Sequence, residues 1–232
     1  MNAAQIKKLE ALVKRLSTDQ TPAGATPDAP EGADPLVHEL IFAFLIWEAG
    51  SELANEALAA FQDAFVDYNE LRIGMSDELV ELLPKRYPLG AERCQRLRAA
   101  LNSVFQREHK LSLSALAEAP KRESRAYLDA LEGMTPFVAS RVTLLGLGAH
   151  AFPIDRRLVS LLAGAGVCED GEAPESVASR LERHFRAGQA APAYLALENA
   201  KPGAPAKTGA RDSSPSRRAK GKRSTKSQSG AS

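Results

Sequence analysis

The sequence predicts an all-α protein made of many short helices. Three observations carry that expectation. Every long segment between Pro35 and Ala200 repeats its apolar residues at helical spacing. No stretch alternates convincingly in the manner of a half-buried strand. The chain has 232 residues, 44% of them hydrophobic, which suits one good-sized core with tails.

The elements follow in order. Residues 1–17 form a short amphipathic helix with Ile6, Leu9, Leu12, Val13 and Leu16 on one side. Residues 18–34 are rich in Pro, Gly, Ala and Asp and are expected to form a linker that buries little. Leu40, Phe44 and Trp47 begin one helix, and Ala57, Ala60, Phe61, Ala64 and Phe65 line another. "NELR", Asn69 to Arg72, is expected to be a structural connection. Ser76 is the expected N-cap of a helix through Leu79, Leu82 and Leu83, with Asp77 and Glu78 in its first turn. Pro84 and Pro88 end it. Leu97, Leu101, Val104 and Phe105 stand on one face of the next helix. Helices are then expected over 113–117, 122–131, 138–147, 156–163, 174–185 and 192–198. Together residues 35–200 make one helical domain.

Charge divides the chain. From Lys201 onward nine Lys/Arg stand against one Asp, while the preceding 200 residues hold 21 basic and 28 acidic side chains. An acidic body with a basic arm, 201–232, is the expected organisation, and the arm's low complexity predicts disorder. The arm has three readings: a solubilising end, a non-specific nucleic-acid arm, or a protein-interaction tail. No run reaches the ~20 apolar residues of a membrane span, and the N-terminus lacks a secretory pattern. The expectation is a cytoplasmic, nucleoid-associated monomer. Two distant cysteines, Cys94 and Cys168, and four scattered histidines give no metal spacing.

The segment "LEGMTPFVASRVTLLGLGAHAFPID", Leu131 to Asp155, is the most informative. A turn, Gly133-Met134-Thr135, separates two helices. Main-chain N–H groups at such a turn, aided by the dipole of the following helix, can hold a phosphate without any side chain. A glycine-bearing break, "LGLGAH", ends the second helix, and "AFPID" brings Asp155 to the head of the next. By position alone Asp155 is a strong N-cap. His150 reads as a packing or capping residue.

This order resembles the helix-hairpin-helix (HhH-GPD) DNA glycosylases of base-excision repair, the endonuclease III-like group. In that family a motif of the form L-P-G-V-G precedes a helix, and an Asp follows about twenty residues later. Here the corresponding residues are "LEGMT" and "FPID". "LGAERCQRLRAALNSVF" and "APAYLALENA" resemble flanking helices of the family. "VDYNELRIGMSDELVELL" resembles a segment of a subgroup lacking the iron–sulfur cluster.

The resemblance implies a two-lobed fold, double-stranded DNA as partner, and base excision from DNA. It implies Asp155 as the catalytic carboxylate, stabilising a cationic sugar as the base departs. It implies Gly133, Met134, Thr135 and Arg141 as DNA-binding residues, and Glu48 and His150 as candidate cleft residues. The lysine that bifunctional members use as nucleophile corresponds to Phe137, which cannot form a Schiff base. The expectation is therefore a monofunctional glycosylase, with a catalytically degenerate DNA-binding protein as the alternative. The cysteines of an iron–sulfur cluster are missing after the last helix, so no cofactor is expected. A monovalent cation at the hairpin is left open. Glu132 and Thr135 depart from the family's Pro and second Gly.

Overall fold

The computed structural model describes residues 1–17 and 22–200. Among these residues the chain forms helices only: α1 (Ala3–Leu16), α2 (Pro35–Ile46), α3 (Ser51–Ala64), α4 (Tyr68–Ile73), α5 (Ser76–Leu82), α6 (Gly90–Glu108), α7 (Ala115–Glu118), α8 (Lys121–Asp129), α9 (Pro136–Arg141), a π-helical turn (Val142–Gly146), α10 (Arg156–Gly164), α11 (Pro174–His184) and α12 (Ala187–Glu198). No helix among the described residues is long and apolar enough to cross a membrane. The basic arm, 201–232, lies outside the described residues.

Helix α2 is the axis of the fold. Every residue from Leu36 to Ile46 is buried, so it has no exposed face and is surrounded by other elements. It packs against α3, α6, α9 and the π turn. Asp34 starts it: one carboxylate oxygen accepts from Leu36 and Val37 N–H, at 2.9 and 3.1 Å. The other accepts from Leu113 N–H at 3.0 Å, tying the entry of α2 to the start of α7.

The first and last described helices meet. Helix α1 packs on α12, and Asn199 Nδ2 donates to Leu16 O at 3.0 Å. Asn2 and Gln5 form a capping box that fixes the beginning of α1.

Three sequence expectations change. The described part of the presumed linker, 22–34, is docked onto the body. Gly24 is buried, and a Cβ there would collide with that of Glu198. Ala23 N–H donates to Asn199 Oδ1 at 2.8 Å. Composition predicted little burial, but internal polar partners hold the segment through its main chain. "NELR" lies in helix α4, whose Arg72 stacks 4.0 Å from the Phe105 ring centroid and donates to Asn102 Oδ1 at 2.9 Å. Pro192 lies inside α12. That helix starts five residues earlier than Pro192 suggested, because Gln189 folds back to accept from Arg186 N–H at 3.2 Å.

Candidate functional site

The site grows from the C-terminus of α2. The last carbonyls of a helix lack intrahelical donors, and a buried arginine supplies them here. Arg93, fully buried on α6, donates to the carbonyls of Phe44, Leu45, Trp47 and Pro88. Ile46 O accepts from Ala49 and Gly50 N–H at 3.1 and 3.0 Å. The chain reverses through Glu48, whose φ is +58°. A helix end of this shape ordinarily takes Gly, because a Cβ disfavours left-handed backbone.

That reversal brings Glu48 to Asp155. Glu48 N–H donates to Asp155 Oδ2 at 2.9 Å, and Arg156 N–H donates to Glu48 Oε1 at 3.1 Å. The Glu48 turn and the Asp155–Arg156 segment thus exchange hydrogen bonds, although Glu48 and Asp155 are 107 residues apart in sequence. Asp155 caps α10 by accepting from Leu158 N–H at 2.9 Å. Its second oxygen also accepts from Arg157 Nη2 at 3.3 Å. The side chain of Asp155 is 0% exposed, whereas Glu48 is half-buried. Burial, reinforced by the charge of Asp155, raises the pKa of Glu48 above the ordinary carboxylate value.

Arg157 joins this pair to a third acid. Its Nη2 donates to both oxygens of Glu198, at 2.8 and 2.9 Å, and Glu198 is buried. Burial would lower the pKa of Arg157, but Glu198 and Asp155 outweigh it and keep the guanidinium charged. Beside these residues runs a groove of about 1100 Å³, between α1, the start of α3, α10 and the end of α12. Gly50, Ser51, Glu52, Arg157 and Leu161 line it. Its volume exceeds what a small-molecule ligand needs. Asp155 does not line the groove; Arg157 and Glu198 do.

The hairpin lies on α6. Gly133, at φ +77°, presses against the backbone of Arg96, where a Cβ would meet Arg96 O at 2.5 Å. Thr135 is buried and caps α9, its hydroxyl accepting from Val138 N–H at 3.2 Å. Thr135 has φ −118°, so the turn needs no left-handed residue there and the change from glycine is accommodated. Among the described residues, the N–H groups of Gly133 and Thr135 have no protein acceptor. Met134 N–H turns inward to Leu131 O at 3.3 Å. Phe137 is 3% exposed and belongs to the core.

Two expected site residues are placed elsewhere. Arg141 is fully buried. Its Nε stands 3.0 Å from Glu39 Oε1, and it donates to Tyr194 Oη at 2.7 Å, Gly24 O at 2.9 Å and Thr26 Oγ1 at 2.8 Å. Buried among these partners, it does not reach the surface where DNA would bind. The resemblance implied a DNA contact, but the helix turns Arg141 inward, where it holds the segment 22–34. His150 is exposed and donates through Nε2 to Glu182 O at 2.8 Å. It ties the loop before α10 to α11.

Sequence reasoning missed Arg93, Arg96 and Glu198. Arg96 is 38% exposed, stands over the Trp47 ring at 6.0 Å and reaches Gly133 O at 3.4 Å. It links the hairpin to the Glu48 reversal. Their helical spacing gave no sign of these roles, because the partners lie on other helices.

No family model matches this chain, and no curated protein matches it by sequence. Solved structures do match it in shape. One is endonuclease III in a non-covalent complex with DNA, at TM-score 0.61 and 15% identity, covering 85% of each chain. A thermostable thymine-DNA glycosylase aligns at TM-score 0.59 and 16% identity, over 88% of this chain and 92% of that one. The 8-oxoguanine glycosylase/lyase of Clostridium acetobutylicum, bound to double-stranded DNA, aligns at TM-score 0.58 and 14% identity, over 86% of this chain and 69% of that one. With its hairpin, its groove and an acid at the head of α10, this chain has an all-helical fold that resembles the endonuclease III-like glycosylase fold.

Proposed function

We propose that this protein is a base-excision-repair DNA glycosylase that hydrolyses N-glycosidic bonds without a lysine Schiff base. The observation that carries the reading is the placement of the Glu48–Asp155 pair. It stands between a hairpin with free amides and a groove large enough for an extruded base. In this reading the amides of Gly133 and Thr135 hold a phosphate, and Arg96 adds charge beside them. The pair's negative charge stabilises the cationic sugar as the base leaves. Phe137, a core residue at the position of the lysine nucleophile, brings no amine to the site. The reading includes no iron–sulfur cluster: the only two cysteines are buried separately, on α6 and after α10, and do not make a four-thiolate set. DNA affinity of an acidic body would draw on the basic arm through counterion release.

A second reading, a DNA-binding protein that excises nothing, is favoured by one observation. Asp155 is sealed, with both oxygens occupied by protein donors. The test is base release from duplexes carrying oxidised, alkylated, deaminated or mismatched bases. Release of a free base with an intact abasic strand supports the first reading. Tight binding without release of any base supports the second.

A further inference from the structure

We propose that Glu48, rather than Asp155, is the carboxylate that touches the sugar, and that Asp155 is a positioning residue acting through it. This inference rests on the base-excision reading and names the working group within it.

Access is the first argument. The Asp155 side chain is 0% exposed, with Glu48 N–H, Leu158 N–H and Arg157 already donating to it. Glu48 is half-buried and directly precedes Ala49 and Gly50, which line the groove. Of its two oxygens, Oε1 accepts from Arg156 N–H. Among the described residues, no donor is assigned to Oε2.

Backbone geometry is the second. Glu48 occupies a helix-ending position, at φ +58°, where Gly is the relaxed choice. A side chain held in such backbone must be over-determined by its surroundings, and such residues gather at functional sites. Arg93 fixes the carbonyl of Trp47, and Asp155 accepts the N–H of Glu48 itself. Both sides of the strained residue are therefore clamped. The arrangement makes sense if the carboxylate, and not the turn, is what the position supplies.

Electrostatics fit the role. The charged groups facing Glu48 are Asp155, Arg156, Arg157 and, from α6, Arg93. Burial and Asp155 raise its pKa, which moves a carboxylate toward the range of an efficient general base. In the reaction the C1′–N bond breaks and its electron pair leaves with the base. Glu48 takes a proton from water as that oxygen bonds to C1′. The proton then passes to the departing nitrogen or to solvent, so one water is consumed overall.

The experiment measures the full chain's affinity for two duplexes at moderate salt. One carries a neutral tetrahydrofuran abasic analogue and the other a cationic pyrrolidine analogue, whose nitrogen stands at C1′. Wild type should prefer the pyrrolidine duplex by about tenfold, the scale of one close, partly screened charge pair. Glu48→Gln should abolish that preference while binding the neutral duplex as before. Glu48→Gly relaxes the backbone and so remains folded; it should lose the preference too. Asp155→Asn should retain a preference that now persists to lower pH, because removing Asp155's charge lowers the pKa of Glu48. A preference retained in Glu48→Gln and lost in Asp155→Asn overturns the inference and leaves the base-excision reading standing. A wild type that distinguishes neither analogue from undamaged duplex overturns both.

Discussion

Replacing Arg141 with Met tests whether this residue serves the fold or the DNA. The substitution keeps most of the volume and removes every donor. Glu39, 6% exposed, would lose the guanidinium 3.0 Å away and keep only the hydroxyl of Thr26. Tyr194 Oη and Gly24 O would lose a donor as well. Breaking a buried pair by removing one partner costs about 3–5 kcal/mol. For a domain of this size each kcal/mol shifts the melting temperature by roughly 2–4 °C, so a fall of about 6–20 °C is expected. Urea unfolding followed by circular dichroism gives the free energy directly. A paired variant, Glu39→Leu with Arg141→Met, should recover at least about half of the loss, because it leaves no unpaired charge. If Arg141→Met unfolds within about 0.5 kcal/mol of wild type, as surface substitutions do, and DNA affinity falls instead, the internal assignment is wrong.

Other outcomes follow from the same structure. Gly133→Ala places a Cβ 2.5 Å from Arg96 O in left-handed backbone. It should destabilise by about 2–4 kcal/mol and weaken duplex binding together, read by melting and gel shift. A thermally neutral Gly133→Ala would mean the hairpin does not rest on α6. His38 is buried, with Nε2 donating to Pro27 O at 2.9 Å and Nδ1 accepting from Tyr68 Oη at 2.5 Å. Burial lowers its pKa, so the unfolded chain binds the proton more readily. The stability it contributes is complete above pH 6.5 and is lost as pH falls through the depressed folded value. Glu39 and Glu48, with raised pKa values, favour the fold at low pH and act in the opposite sense. The stability difference between wild type and His38→Gln should therefore shrink between pH 7.5 and pH 5, and a constant difference would reject the role. Deleting residues 201–232 removes nine cationic side chains. Duplex affinity and its salt dependence should both fall, and an unchanged salt slope would show that the arm does not meet phosphate.

The sequence by itself determined the helical class, most element positions and the order of turn, helix, glycines and acid from Gly133 to Asp155. Those signals are local: apolar spacing, prolines and caps act within a few residues. It also placed Asp155 as a helix cap, which the hydrogen bond from Leu158 N–H bears out. Only the tertiary structure decided which charged residues face inward. Arg93 and Arg141 look like any surface arginine on a helix, yet both are fully buried. Their acceptors are carbonyls and acids on distant segments: the end of α2 for one, and Glu39, Gly24 and Thr26 for the other. The same holds for Glu48. A glutamate after an apolar helix reads as a solvated end, and nothing local marks it as the partner of an acid 107 residues away. Hydrogen bonds across such separations depend on how helices pack, and periodicity along one helix carries no information about its neighbour's charges.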